Sequence, residues 1–221
     1  MRSRYLPDAE TAYARTVLLA VELVDVVTLQ IISREVQVTA TGLARGPLVS
    51  ASGRFVWVEE GARRPARVLV DPGSLPYDAE DVAAPPLPPD LGQVPESGRL
   101  LRVWLRPRRG YAFPDGVTVV RGRLAESAGG TAVTDAEVWL EWQDEATQQW
   151  RDGRAYGFAR TRLGGEFAAF LRLAPMDDAA GLPVLRLGVK RAAVVRHTPQ
   201  FSLRDGGTLE RFMVIAWNEL N

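Results

Sequence analysis

Apolar and polar residues alternate in short runs along most of this chain. From Thr16 to Asp25, Leu19, Val21 and Leu23 alternate with Ala20 and Glu22, and further on Val36 and Val38 alternate with Gln37 and Thr39. A period of two is that of a strand with one face on a core and one in water, so two strands joined by a loop of about eight residues are expected here. A helix over 17–32 is the rival, but its many Val, Ile and Thr residues disfavour it. The alternation returns at Phe55 and Trp57, at Ala66, Val68 and Val70, and at Leu101, Val103 and Leu105. Val138 and Leu140 form one face of a later strand, with Trp139, Glu137 and Glu141 on the other. Leu185, Leu187 and Val189 form an apolar face opposite Arg186, Gly188 and Lys190. Residues 209–217 are apolar on both faces, as a covered strand would be. Phe167 and Phe170 do not share strand parity, which predicts a bulge or an unusual face assignment near Ala168–Ala169.

Turn residues divide these runs. Ser50–Gly53, Asp71–Gly73, Pro114–Gly116 and Gly164–Gly165 are turn clusters. Between 81 and 98, Pro85, Pro86, Pro88, Pro89 and Pro95 favour extended backbone that cannot donate to a ladder. The pattern predicts an all-β protein of two antiparallel β-sandwich domains joined by a proline-rich linker. Its expected parts are a polar arm at 1–14, a small sandwich at 15–80, the linker at 81–98 and a larger sandwich at 99–221. The linker is expected to pack across a neighbouring face; a ligand for an SH3-type groove is the competing reading.

The two halves share a layout. VELVD, EVQVTATG, SGRFVWV and ARVLVD in the first are matched by VVRGRL, AEVWLEW, GGEFAAFLRL and VLRLGVKR in the second. In each, glycine before Arg54-Phe55 or Glu166-Phe167 lets a hairpin reach positive φ, and the phenylalanine then plugs the core. In the second half, Val120, Gly122, Leu124, Val133, Asp135, Ala136, Val138 and Leu140 are followed by Thr161, Gly165, Glu166 and Phe167. This stretch resembles the carboxypeptidase regulatory-like domain, a transthyretin-like β-sandwich; an immunoglobulin-like sandwich is the related alternative. Val36, Val38, Gly53 and Phe55 make the first half look like a degraded copy. The stretch DEATQQWRDG and the additions before Val117 and after Leu173 depart from that family's pattern. The resemblance implies an accessory or structural module without a shared catalytic site, of the kind found beside enzymes, in surface proteins and in phage-tail-like contractile machines.

Charge and composition narrow the functions open to such a chain. Twenty-seven basic residues balance 27 acidic ones, so no net field draws nucleic acid or acidic lipid to the protein. No run is long and apolar enough for a bilayer and no leader peptide is visible, so a cytoplasmic, non-membrane protein is expected. Cysteine is absent, which removes thiolate nucleophiles, thiolate metal sites and disulfides.

Little of the remaining chemistry forms a constellation. His197 is the only histidine; a hydrolase centred on it needs Thr198 or Ser202 and an acid beside it. Asp177, Asp178 and Asp205, or Asp144, Glu145 and Asp152, could converge on calcium, but neither set has the spacing of a calcium loop. Glu137 and Glu141 lie about 13 Å apart on a strand, too far for an acid and nucleophile pair. No phosphate-binding or dinucleotide motif occurs. No cofactor, metal or catalytic residue is therefore assigned, and the protein is expected not to be an enzyme. Arg102, Trp104 and Arg106 alternate with an aliphatic face, and Trp139, Trp142 and Trp150 lie on or after a later strand. Aromatic and arginine side chains are those that interface centres favour. These six are the candidate interaction surface of a structural or protein-binding module, with other proteins or further copies of itself as partners and a phage-tail-like assembly as its setting. A nucleic-acid site in which Arg99, Arg102, Arg106, Arg108 and Arg109 grip phosphates while Trp104 stacks on a base is disfavoured by the charge balance. A carbohydrate-binding module is the alternative; it requires Trp104 and Trp139 to form a flat exposed platform.

Overall fold

The computed structural model describes residues 16–58, 61–88, 90–91, 94–171, 184–202 and 208–221. The expected arm at 1–14 and the calcium candidates Asp177, Asp178 and Asp205 lie outside them. Up to Leu105 the strands are β1 (Val17–Asp25), β2 (Gln37–Ala40), β3 (Leu48–Val49), β4 (Phe55–Val58), β5 (Arg67–Asp71), β6 (Glu80–Ala83) and β7 (Leu100–Leu105). Beyond it come β8 (Thr118–Ala125), β9 (Glu137–Gln143), β10 (Trp150–Asp152), β11 (Ala159–Arg160), β12 (Glu166–Leu171), β13 (Val184–Arg191), β14 (Val194–His197), β15 (Phe201–Ser202) and β16 (Thr208–Ala216). The architecture is all-β, with mixed and antiparallel sheets in a sandwich-type arrangement.

A sheet of order β3-β4-β1-β7 faces a sheet of order β2-β5-β6. Between them lie Leu19, Val21 and Leu23 of β1, Phe55 and Trp57 of β4, Val103 and Leu105 of β7, and Val38, Val68 and Val70 of the opposite sheet. These are the residues whose alternation marked them as core. In the second half a sheet of order β12-β8-β16 faces one built on β10-β9-β13-β14, with β11 and β15 attached to its edges. Val120, Leu124, Phe167, Ala169 and Leu171 meet Val138, Leu140, Leu185, Leu187 and Val189 there.

The repeat legible in the sequence is also a repeat of topology. β1 is flanked by antiparallel β4 and parallel β7; β8 is flanked by antiparallel β12 and parallel β16. Opposite them, β2-β5-β6 has its counterpart in β9-β13-β14. Both hairpin turns close in the same way. Gly53 N–H donates to the Ser50 carbonyl and Ser50 N–H to the Arg54 carbonyl, while Gly165 N–H donates to the Arg162 carbonyl and Arg162 N–H to the Glu166 carbonyl. The two glycines have φ of 78° and 73°, a conformation costly for other residues. Phe55 and Phe167, two positions on, are both buried.

The second-half motif is held together by its own hydrogen bonds. Leu124 N–H donates to Gly165 and Val133 N–H to Leu124; Asp135 N–H donates to the Thr161 carbonyl. Ala136 N–H meets the buried Thr161 hydroxyl at 2.9 Å. The spacing of those residues thus reflects one bonded turn region that joins both sheets.

Two expectations are corrected. β12 pairs with β8 in unbroken register from Glu166↔Arg123 to Leu171↔Thr118, so no bulge lies at Ala168–Ala169. The unusual face assignment holds instead: the strand is buried on both faces, Phe167 entering the second core while Phe170 joins the first. β7, which lies after the proline-rich stretch, pairs in parallel with β1 from Ala20↔Leu100 to Asp25↔Leu105. Residues 99–105 therefore belong to the first core, not to the one formed by β8–β16. The proline-rich stretch between β6 and β7 is tied down at Pro88, Leu91 and Val94. Arg64 donates to the Pro88 carbonyl, and the Arg99 guanidinium reaches the carbonyls of Leu91, Val94 and Val17.

Candidate functional site

Passage from the first core to the second runs through residues 106–117, where aromatic rings and ion pairs meet. Tyr77, Tyr111, Phe113 and Phe170 form a chain of contacts with centroid separations of 5.6, 4.8 and 5.8 Å. Asp78, buried at the end of the first half, receives the guanidinium of Arg162 from the turn before β12, and Arg108 approaches the same carboxylate at 3.8 Å. Arg109 pairs with Glu166, and Arg121 donates to the Tyr111 carbonyl.

Asp25, at the end of β1, organises the loop beside this junction. Its carboxylate is 2% exposed and accepts from Val27 N–H at 2.7 Å, the Thr28 hydroxyl at 2.7 Å, Tyr111 at 2.5 Å and Tyr77 at 3.2 Å. Burial, together with the Asp25 charge, pushes the Tyr77 hydroxyl up to about 12 and raises that of Tyr111 as well. Four donors on one buried carboxylate satisfy its hydrogen-bonding capacity in the core.

The outer face of β7 carries three of the six candidate residues. Glu22 of β1 lies between Arg54, just before β4, and Arg102 of β7, with nitrogen–oxygen distances of 2.9 and 2.8 Å. Arg102, helped by Arg54, holds the Glu22 carboxyl below the usual range despite its burial. Arg102 also stands 5.7 Å from the centre of the Trp104 ring, which is 40% exposed. Arg106 pairs with buried Glu80 and lies 4.4 Å from the centre of the Phe158 ring. Arg154 packs near the same ring and pairs with Glu137. Between these groups is a cleft of about 320 Å³ lined by Val26, Leu29, Trp104, Phe158 and the two arginines. Both halves contribute to it. Leu29, Phe158 and Arg154 were not singled out by the sequence, because their meeting depends on how the halves join.

The remaining three tryptophans fall elsewhere. Trp139 is 3% exposed, which corrects its expected place on an accessible face. Its indole lies against Gly188, where a Cβ atom would come within 2.4 Å of the ring, and Arg154 covers it from 5.4 Å. Trp142 packs against the second core, and Trp150 lies under the Arg186 guanidinium at 4.1 Å. Trp104 and Trp139 therefore form no exposed platform for a sugar ring.

A second polar cluster surrounds Glu141, 5% exposed on β9. It accepts from Trp139 Nε1 at 3.0 Å and Arg186 Nε at 2.7 Å, and His197 Nε2 lies 3.4 Å away. The acid that the sequence did not pair with His197 is thus present. The Thr198 hydroxyl, however, is buried and accepts from Leu187 N–H at 2.9 Å. No hydroxyl nucleophile is placed on the imidazole. Asp144 is engaged by Thr147 and Arg151, and Asp152 caps Arg154 N–H. Among the described residues no group of three or more acidic or histidine side chains could hold a metal ion. Nor does any helix there have the length and apolarity to cross a membrane.

No protein-family model matches this chain, including any for the carboxypeptidase regulatory-like domain, and no curated protein matches it. Among solved structures, a streptococcal ancillary pilin is similar, at 10% identity and a TM-score of 0.28 over 93% of this chain. The match spans 62% of that pilin's length. The expected cytoplasmic location is not retained. At so low a score the likeness carries no further argument.

Proposed function

We propose that this chain is a non-catalytic structural and protein-binding module, built as two β-sandwich units locked into one rigid body and used within a larger protein assembly. The observation that carries this reading is the junction. Phe170 is shared with the first core, and the half-buried Asp78–Arg162 pair ties the two halves across 84 residues of sequence. Such a joint transmits force and fixes the spacing of surfaces, which a catalytic scaffold with a mobile hinge would not require. The unit boundary in this reading lies at 106–117 rather than in the proline-rich stretch. The motif around Thr161 and Gly165 supports a transthyretin-like ancestry for the second unit. A place in a phage-tail-like machine is one setting consistent with such a module.

Size-exclusion chromatography with light scattering, over about a hundredfold concentration range, tests the assembly role by mass action. A concentration-dependent dimer or larger species is the expected result. A strict monomer throughout overturns self-assembly and leaves a different chain as the partner.

A further inference from the structure

We infer that the cleft between the two halves is a docking groove for a short acidic segment of a partner protein, one that inserts an aromatic or leucine-like side chain between Leu29, Trp104 and Phe158 and lays carboxylates on Arg106 and Arg154, the two arginines that line it. The inference rests on the protein-binding reading above and names the partner's chemistry.

Three observations converge on it. The first is apolar display. Leu29 is 57% exposed and Trp104 is 40% exposed, and both line the same cleft with Val26 and Phe158. Leu29 also has φ of 60°, a left-handed conformation that is unfavourable for a residue with a Cβ. The loop is held there by Asp25, whose carboxylate takes Val27 N–H and the Thr28 hydroxyl while its carbonyl takes Leu29 N–H at 2.8 Å. A strained backbone that turns a leucine toward water, fixed by a buried carboxylate, is a feature that stability alone does not select.

The second observation is the distribution of charge. Each rim arginine is paired with an acid that lies deeper. The Glu80 and Glu137 side chains are 7% and 21% exposed, whereas those of their partners Arg106 and Arg154 are 19% and 36% exposed. Water and ligands therefore meet guanidinium groups, while the balancing carboxylates lie beneath. These acids hold the guanidinium planes in place, so binding an anion costs little further side-chain entropy.

The third is the size and composition of the cleft. About 320 Å³ lies near the lower limit of ligand pockets and suits one or two side chains rather than an extended cofactor. An arginine rim around a tryptophan is the composition of binding hot spots. A nucleic-acid strand fits less well, because the chain has zero formal net charge.

Fluorescence anisotropy on the full chain tests the groove with four labelled probes. They are the peptide Asp-Glu-Leu-Phe-Asp-Glu, its amide form Asn-Gln-Leu-Phe-Asn-Gln, the acidic peptide Asp-Glu-Ser-Gly-Asp-Glu, and a six-nucleotide thymidine strand. The first peptide is expected to bind saturably and about tenfold more tightly than the other three, with affinity falling as salt rises. Trp104→Ala, Leu29→Ser and Arg154→Met are each expected to weaken it about fivefold or more, with unfolding midpoints recorded to show that the variants are folded. Equal binding of all probes, or binding unmoved by the three variants, overturns the inference. Tighter binding of the thymidine strand also overturns it and assigns the rim to phosphate. If no peptide binds while light scattering shows association abolished by Trp104→Ala, a second copy occupies the cleft: the segment inference fails and the protein-binding reading stands.

Discussion

The ring of Phe170 lies 5.8 Å from that of Phe113, centroid to centroid, although Phe170 belongs to β12 and its strand neighbours Ala169 and Leu171 point into the other core. One strand thereby serves two cores. Phe170→Ala empties a fully buried position at the joint, and losses of about 3–5 kcal/mol are usual for such a truncation. The expected outcome in urea unfolding is a lower midpoint for the fluorescence of Trp57 and Trp104 in the first half as well as for the second-half tryptophans. A shift confined to the second half would contradict the shared core.

The two hairpin glycines are equivalent in conformation but not in surroundings. A Cβ atom on Gly165 would fall 2.2 Å from the Leu124 carbonyl oxygen, which already accepts from Val133 N–H. On Gly53 it would meet only the side chains of Ile31 and Ser33 at 3.2 Å. Gly53→Ala is expected to cost about 1–2 kcal/mol for positive φ. Gly165→Ala should cost clearly more, because backbone must move. Paired denaturation curves check the order, and equal losses would mean that the turn around Leu124 relaxes freely.

Stability should fall at both ends of the pH range, for different reasons. The Glu22 carboxyl is held low in the folded protein, so its contribution is complete above the unfolded value of about 4.5 and is lost as pH drops through the folded value. Tyr77 is raised to about 12, so its contribution is complete below about 10 and is lost as pH climbs from 10 to 12. Tyr111, raised in the same way, adds to the alkaline loss. Glu22→Gln should flatten the acid limb of a melting-temperature profile and Tyr77→Phe the alkaline limb. An alkaline limb unchanged in Tyr77→Phe would show that burial beside Asp25 does not govern it.

Much of this architecture was legible because half-buried strands write period two into the chain. Leu19–Leu23, Phe55–Trp57, Val103–Leu105 and Leu185–Val189 all face the cores that their alternation indicated. The repeat was legible for a related reason: a glycine at positive φ and the phenylalanine two residues later are both fixed by one turn. What the sequence could not convey was the meeting of the halves. Phe167 and Phe170 look like a parity error until the second core is known. Trp139 lies beside charged residues in sequence, yet the absent side chain of Gly188 makes room for its ring. The position of β7 was obscured by the proline-rich stretch, since parallel pairing with β1 brings together residues about eighty apart. The cleft at Trp104 was half visible: the Arg102, Trp104 and Arg106 face was plain, and Leu29, Arg154 and Phe158 came from loops without period.

Residual dipolar couplings of backbone N–H groups in a weakly aligned sample test most directly whether the two halves act as one rigid structural body. The account predicts that one alignment tensor fits the couplings of β1–β7 and of β8–β14 together, with equal magnitude for both sets. Two tensors of different magnitude would mean that the halves reorient about residues 106–117, and the rigid-module reading would then fail.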